Sequence, residues 1–125
     1  MGCFYTGFDW RNRKNGLFKI GETCQKTPAQ RLASLRQKDA FQCLGYLVLE
    51  GETHAQRLFI ESYVRMHLTK EEELTPTKTD YFTYAIKGDK YRQAQSFANT
   101  ALYYAKEACQ MENITYTRGT KNYCR

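Results

Sequence analysis

Asn15-Gly16 sits between two short apolar runs, and this pair constrains the fold more than any other feature of the chain. Asn-Gly readily adopts the positive-φ turn that joins two antiparallel strands. Cys3 to Phe8 reads as the first strand, the polar stretch Asp9 to Gly16 as the turn, and Leu17 to Ile20 as its partner. Gly21 to Lys26 follows as a loop. Thr27-Pro28-Ala29-Gln30 then offers Thr as N-cap, Pro at the first helical position and Gln in the capping-box place. This predicts a helix to about Lys38, with Leu32 and Leu35 facing the core.

The pattern continues with Phe41 to Glu50, rich in Leu, Val and Tyr, which reads as a third strand broken by Gly51. Thr53-His54-Ala55-Gln56 repeats the capping-box logic. A second helix should run to about Leu68, its apolar stripe formed by Ala55, Leu58, Phe59, Ser62 and Met66. Thr69 to Thr79 reads as a polar, acidic loop, and Asp80 to Ile86 as a short aromatic strand or extended edge. Gly88-Asp89 opens a long third helix ending near Asn113, with Phe97, Leu102, Tyr103 and Tyr104 set to line a core or a dimer seam. The tail, Ile114 to Arg125, is basic and polar and is expected to stay mobile until it meets a partner. Strands followed by helices in this order predict a small α+β domain, a mostly antiparallel sheet flanked by helices.

Charge is unevenly spread. Residues 1–38 carry eight Lys/Arg against two Asp/Glu, residues 39–85 four against eight, and residues 86–125 seven against three. A basic front and a basic end point to a polyanionic partner. The five cysteines are odd in number and none is spaced Cys-x-x-Cys, so a disulfide framework or a zinc site is not expected. Reduced thiols in a cytoplasm fit better. No apolar run approaches membrane-spanning length, and no signal-peptide pattern opens the chain.

Four side chains carry candidate chemistry. Tyr5 on the first strand offers a phenol for proton relay. Lys19, read at the end of the second strand, offers an ammonium for a phosphate or a water. Arg31 on the first helical turn can grip two phosphate oxygens at once. Glu61 lies mid-helix among apolar neighbours, where an unpaired carboxylate is costly. It can pair with Arg57 or Arg65, four residues either side, or bind a divalent metal, since one carboxylate plus waters and a phosphate satisfies magnesium. His54 lies two helical turns before Glu61 and could support a substrate; His67 is assigned to packing.

Together and in this order, these residues resemble the GIY-YIG nuclease superfamily. Cys3-Phe4-Tyr5 stands in place of the first motif and Lys19-Ile20-Gly21 in place of the second. Arg31 matches the helix arginine, and Glu61 the metal-binding glutamate on a later helix. The phage- and virus-associated branch with a Lys-Ile-Gly second motif looks closest, with Glu61 and His67 matching its Glu-x5-His pairing and Asp80-Tyr81-Phe82 its later acidic–aromatic segment. Cys3 replaces the first-motif Gly, Lys19 the second-motif Tyr, and Glu22 stands where a cation often follows.

The resemblance implies a nuclease domain over residues 1–88; residues 89–125, a helix and basic tail with no counterpart in the family, are expected to pack on the same single domain. It implies a metal-dependent endonuclease hydrolysing phosphodiester bonds in DNA. Tyr5, Lys19, Arg31 and Glu61 would be its catalytic residues, supported by His54 and Gly21. Glu61 would hold Mg2+ or Mn2+. Arg11, Arg13, Lys14, Arg36, Lys38, Arg118, Lys121 and Arg125 would contact the nucleic acid backbone. Double-strand cuts would need two sites, hence a homodimer or two visits. The alternatives are a non-catalytic nucleic-acid-binding module of the same fold and a phage-encoded protein-interaction or inhibitor domain, the latter on the acidic run Glu71-Glu72-Glu73.

Overall fold

Alternation along three long strands divides the sheet into an apolar face and a second, mixed face. The structure is a computed structural model and describes residues 2–9, 16–25, 41–71, 74–77 and 81–119. The strands are β1 (Gly2–Asp9), β2 (Gly16–Thr23), β3 (Phe41–Glu50), β4 (Thr75–Pro76), β5 (Tyr81–Tyr84) and β6 (Thr115–Arg118). They form one antiparallel sheet in the order β4-β5-β2-β1-β3-β6. The helices are α1 (His54–Glu71) and α2 (Lys90–Met111). The chain is therefore α+β, an antiparallel sheet packed by helices. No helix among the described residues is long and apolar enough to cross a membrane. The helix expected from Thr27 to Lys38 lies outside the described residues.

Phe4, Phe18, Ile20, Leu47, Leu49, Phe82 and Tyr84 point to one face and meet Ile60, Val64 and Leu68 of α1 and Ala98, Ala101, Leu102 and Ala105 of α2. Cys3, Tyr5, Cys43 and Tyr46 form a separate buried cluster. A register shift between Thr6 and Gly7, which pair with Gly45 and Cys43, skips Leu44 and bends β3 across β1.

Buried residues of α2 recur as Ala94, Ala98, Ala101, Ala105 and Ala108. Side chains this small let the helix axis lie close to the sheet. Gly45 continues the same close fit, since a Cβ there would stand 2.7 Å from Leu102 Cδ1.

The caps agree with the sequence. Thr53 Oγ1 accepts from Gln56 N at 3.2 Å, while Gln56 Oε1 accepts from Thr53 N at 2.9 Å. This is the reciprocal capping box. Asp89 Oδ1 accepts from Tyr91 N and Arg92 N, starting α2.

Three expectations are corrected. The buried stripe of α1 is Arg57, Ile60, Val64 and Leu68, whereas Leu58 and Met66 are exposed. The acidic loop is shorter than expected, because α1 continues to Glu71 and Thr75–Pro76 pairs with β5. The tail does not start as a mobile segment. Ile114 N donates to Cys109 O and Asn113 N to Gln110 O, with Asn113 at φ 55°. These are the two bonds of a Schellman turn. They bury Ile114 and return the chain as β6 beside β3.

Of the cysteines, Cys3, Cys24, Cys43 and Cys109 are free thiols. Burial, with Glu22 and Glu52 nearby, pushes the Cys3 thiol up to about 12. Burial, with a contribution from Glu52, pushes Cys109 up to about 11. Both therefore behave as neutral packing groups at ordinary pH.

If α2 depends on its alanines for close approach, Ala101→Leu should lower stability by about 1–3 kcal/mol, read by urea denaturation. An unchanged midpoint would show that the helix can stand off from the sheet at no cost.

Candidate functional site

The Lys-Ile-Gly run becomes intelligible through strand alternation. Ile20 faces the core beneath the helices, while Lys19 and Gly21 face the other side of β2 with Tyr5. β2 runs on to Thr23, so Lys19 sits mid-strand, not at a strand end as expected from sequence. The strand outlasts its apolar run because Glu22 and Thr23 still pair with Phe4 and Cys3.

Lys19 is only 4% exposed. Its strand neighbours are Gly7, which carries no side chain, and Tyr81. The ammonium lies 5.0 Å from the centre of the Tyr81 ring. Removing an ammonium from water is costly, and the ring face offsets part of that cost.

Tyr5 reaches across from β1 onto β2. Its register partner is Gly21, where a Cβ would stand 2.5 Å from the phenol oxygen. Gly21 is thus the position that lets the phenol lie flat against the second strand. Tyr5 itself is 1% exposed and shares its cluster with Cys3, Cys43 and Tyr46.

Glu61 is positioned by its helix. Arg57, Glu61 and Arg65 form one i, i+4 line along α1. Arg57 Nε donates to Glu22 Oε2 at 2.9 Å and Nη1 to Glu52 Oε1 at 3.0 Å, with His54 Nδ1 at 3.4 Å from Nη2. Burial works to lower the Arg57 pKa, but the hydrogen bonds to Glu22 and Glu52 outweigh it and hold the pKa above its ordinary value. Arg65 lies over Phe82, 5.6 Å from the ring centre, and donates to Glu61 Oε1 at 3.2 Å. One end of the line is therefore tied to Glu22 and the other to Phe82, which pairs with Phe18. Between these anchors α1 packs on Phe18 and Ile20 of β2 through Ile60 and Val64, and Glu61 lies on the same stretch of helix.

β5 pairs only with Gly16 to Lys19. Past Lys19, no described strand pairs with the outer edge of β2. Tyr5 and Lys19 are buried on the sheet face away from the helices, whereas Glu61 is carried by α1 on the core face. Of the two arginines weighed as partners for Glu61, Arg65 forms the pair, while Arg57 is taken by two distant carboxylates.

His54 is exposed at the N-terminus of α1 and touches Arg57. His67 stacks on Tyr104 at 4.3 Å and meets Tyr63 at 4.5 Å, so it packs in the seam between the helices as expected. Arg118 is exposed on β6. Arg11, Arg13, Lys14, Arg31, Arg36, Lys38, Lys121 and Arg125 lie outside the described residues. Tyr81, as the ring that backs Lys19, was not singled out for that role from sequence. The signal was the alternation of Tyr81 and Thr83 against Phe82 and Tyr84.

Among the described residues, no group of three or more His, Cys, Asp or Glu side chains could hold a metal ion. Among the described residues a cation here would rest on Glu61, whose side chain is 16% exposed and accepts from Arg65. A single hard oxygen donor of this kind fits magnesium, which keeps most of its waters and takes further oxygens from a phosphate.

The Tyr5–Gly21 contact gives a clean test of this geometry. Gly21→Ala should cost about 1–3 kcal/mol by chemical denaturation, and much less when placed on Tyr5→Ala. Equal costs in both backgrounds would refute the contact. No protein-family model matches the chain, and no curated protein or solved structure matches it.

Proposed function

We propose that this protein is a metal-dependent endonuclease that hydrolyses phosphodiester bonds in DNA. The observation that carries this reading is Lys19, an ammonium held at 4% exposure in the middle of a strand, beside Tyr81 and next to the reach of Tyr5. Buried charges of this kind concentrate where a reacting group must be met. Resemblance to the GIY-YIG superfamily supports the same set of residues.

Each side chain has a distinct task. Lys19 orients the attacking water and offsets charge on the scissile phosphate. The phenol of Tyr5, laid over Gly21 toward the edge of β2, relays the proton released by that water. Arg31, which lies outside the described residues, clamps the phosphate as the resemblance implies. Glu61 is the residue that would hold Mg2+ or Mn2+, whose chemistry when bound is to offset charge on the phosphate and the leaving oxygen. Glu22 does not repel the substrate strongly, because its carboxylate is engaged by Arg57 at 2.9 Å. The basic termini, including Arg11, Arg13, Lys14, Arg118, Lys121 and Arg125, contact the backbone without reading sequence.

A second reading has one specific observation in its favour. Arg65 already donates to Glu61 at 3.2 Å, which suits a fold that binds nucleic acid without cutting it. The two readings part in a single assay. Plasmid DNA with magnesium or manganese should be nicked by the wild type, and at least about 100-fold more slowly by Glu61→Ala and by Lys19→Met. Mobility shift without cleavage by the wild type would favour the binding module. Equal nicking by all three proteins, or none on plasmid, branched DNA and RNA, would overturn the nuclease reading.

A further inference from the structure

A groove of about 450 Å³ lies on the far side of the sheet from β5, between α2 and the edge strand β6. It is lined by Asn99, Leu102, Tyr103, Lys106 and Arg118. Its volume falls within the range of about 300–1,000 Å³ usual for ligand sites.

Three of the lining residues share one helix stripe. Asn99, Tyr103 and Lys106 are spaced at i, i+4 and i+7, so neighbouring members stand about 5–6 Å apart. Arg118 pairs with Leu47 in the sheet and forms the opposite wall. Leu102 is buried and closes the floor.

Tyr103 is the unusual member. It is 63% exposed, the most exposed of the large hydrophobic residues described. An exposed aromatic is ordinarily free to turn, but this one is braced. Its ring meets Tyr104 edge-on at 5.4 Å, Tyr104 stacks on His67 at 4.3 Å, and His67 abuts Tyr63 at 4.5 Å. This ladder spans the seam between the helices and ends on a ring that faces solvent and leans edge-on against Tyr104.

The charge of the groove selects its occupant. Lys106 and Arg118 supply two cations, none of the five lining residues is acidic, and neither cation forms an ion pair with another described residue. A flat aromatic face flanked by cations suits an unstacked base with a phosphate on either side. Within a duplex the base faces are stacked on one another, and a polyglutamate chain has no ring to stack on Tyr103.

We propose that this groove binds single-stranded nucleic acid, with one base stacked on Tyr103 and the flanking phosphates held by Lys106 and Arg118. Resting on the nuclease reading, it would make the preferred substrate one with an unpaired strand, guided past the β2 edge from a site on the opposite side of the sheet.

The test is fluorescence anisotropy of a labelled ten-nucleotide oligothymidine in metal-free buffer, with plasmid nicking followed in parallel. Tyr103→Ala should weaken binding about tenfold, and Tyr103→Phe should restore it. Removing Lys106 and Arg118 together should lower the slope of log affinity against log salt by about 0.7 for each cation. Wild-type affinity in Tyr103→Ala, an unchanged salt slope in the double variant, or equal competition by a polyglutamate peptide would overturn the groove assignment. Nicking with Tyr103-independent binding would sink the groove and spare the nuclease reading; Tyr103-dependent binding without nicking would do the reverse.

Discussion

The guanidinium of Arg57 is the interaction on which the arrangement of this protein depends. It is nearly buried and joined to Glu22 on β2 and to Glu52 before α1. A buried charge with one partner removed is strongly destabilising, so the three groups hold one another in place. Their effect is positional. They fasten the first turns of α1 to the end of β2, and Arg65 over Phe82 sets its course across the sheet. Glu61 lies between the two, on a helix that packs against the strand carrying Lys19.

The same logic explains why the helices crowd one face. Five alanines on α2 and Gly45 on β3 bring the longest helix close to the sheet. Close contact leaves Leu102 buried and pushes the next residue, Tyr103, outward onto the rim. One face thus serves as the core. The other carries Lys19 and Tyr5. Residues 89–119 are part of this core and not a separate addition, since α2 packs on the sheet and β6 closes its edge.

Local signals made much of the fold legible from sequence. β3 is bounded at Phe41 and Glu50 because its stretch is rich in Leu, Val and Tyr and ends at Gly51. The caps at Thr53 and Asp89 needed only their own neighbours. What escaped depends on partners remote in sequence. β6 is a polar tetrapeptide that becomes a strand only because Asn113 turns the chain back to β3. The stripe of α1 was misread because its first inward residue is Arg57, which is buried only by virtue of Glu22 and Glu52. Helical spacing alone could not choose between Arg57 and Arg65 as the partner of Glu61. In the site, the need for Gly21 follows from Tyr5 lying across it, and the setting of Lys19 from Tyr81 on β5, both partners remote in sequence.

The proposed nuclease function requires Glu61 to hold a divalent cation against a phosphate and Lys19 to meet the same phosphate. The most direct measurement is anomalous diffraction from crystals soaked in manganese with a short oligonucleotide. The expected result is a manganese peak about 2.1 Å from the Glu61 carboxylate, with a phosphate oxygen completing its shell and lying near the Lys19 ammonium. Absence of a peak at Glu61 in crystals whose oligonucleotide is bound, or a phosphate held far from Lys19, would contradict it.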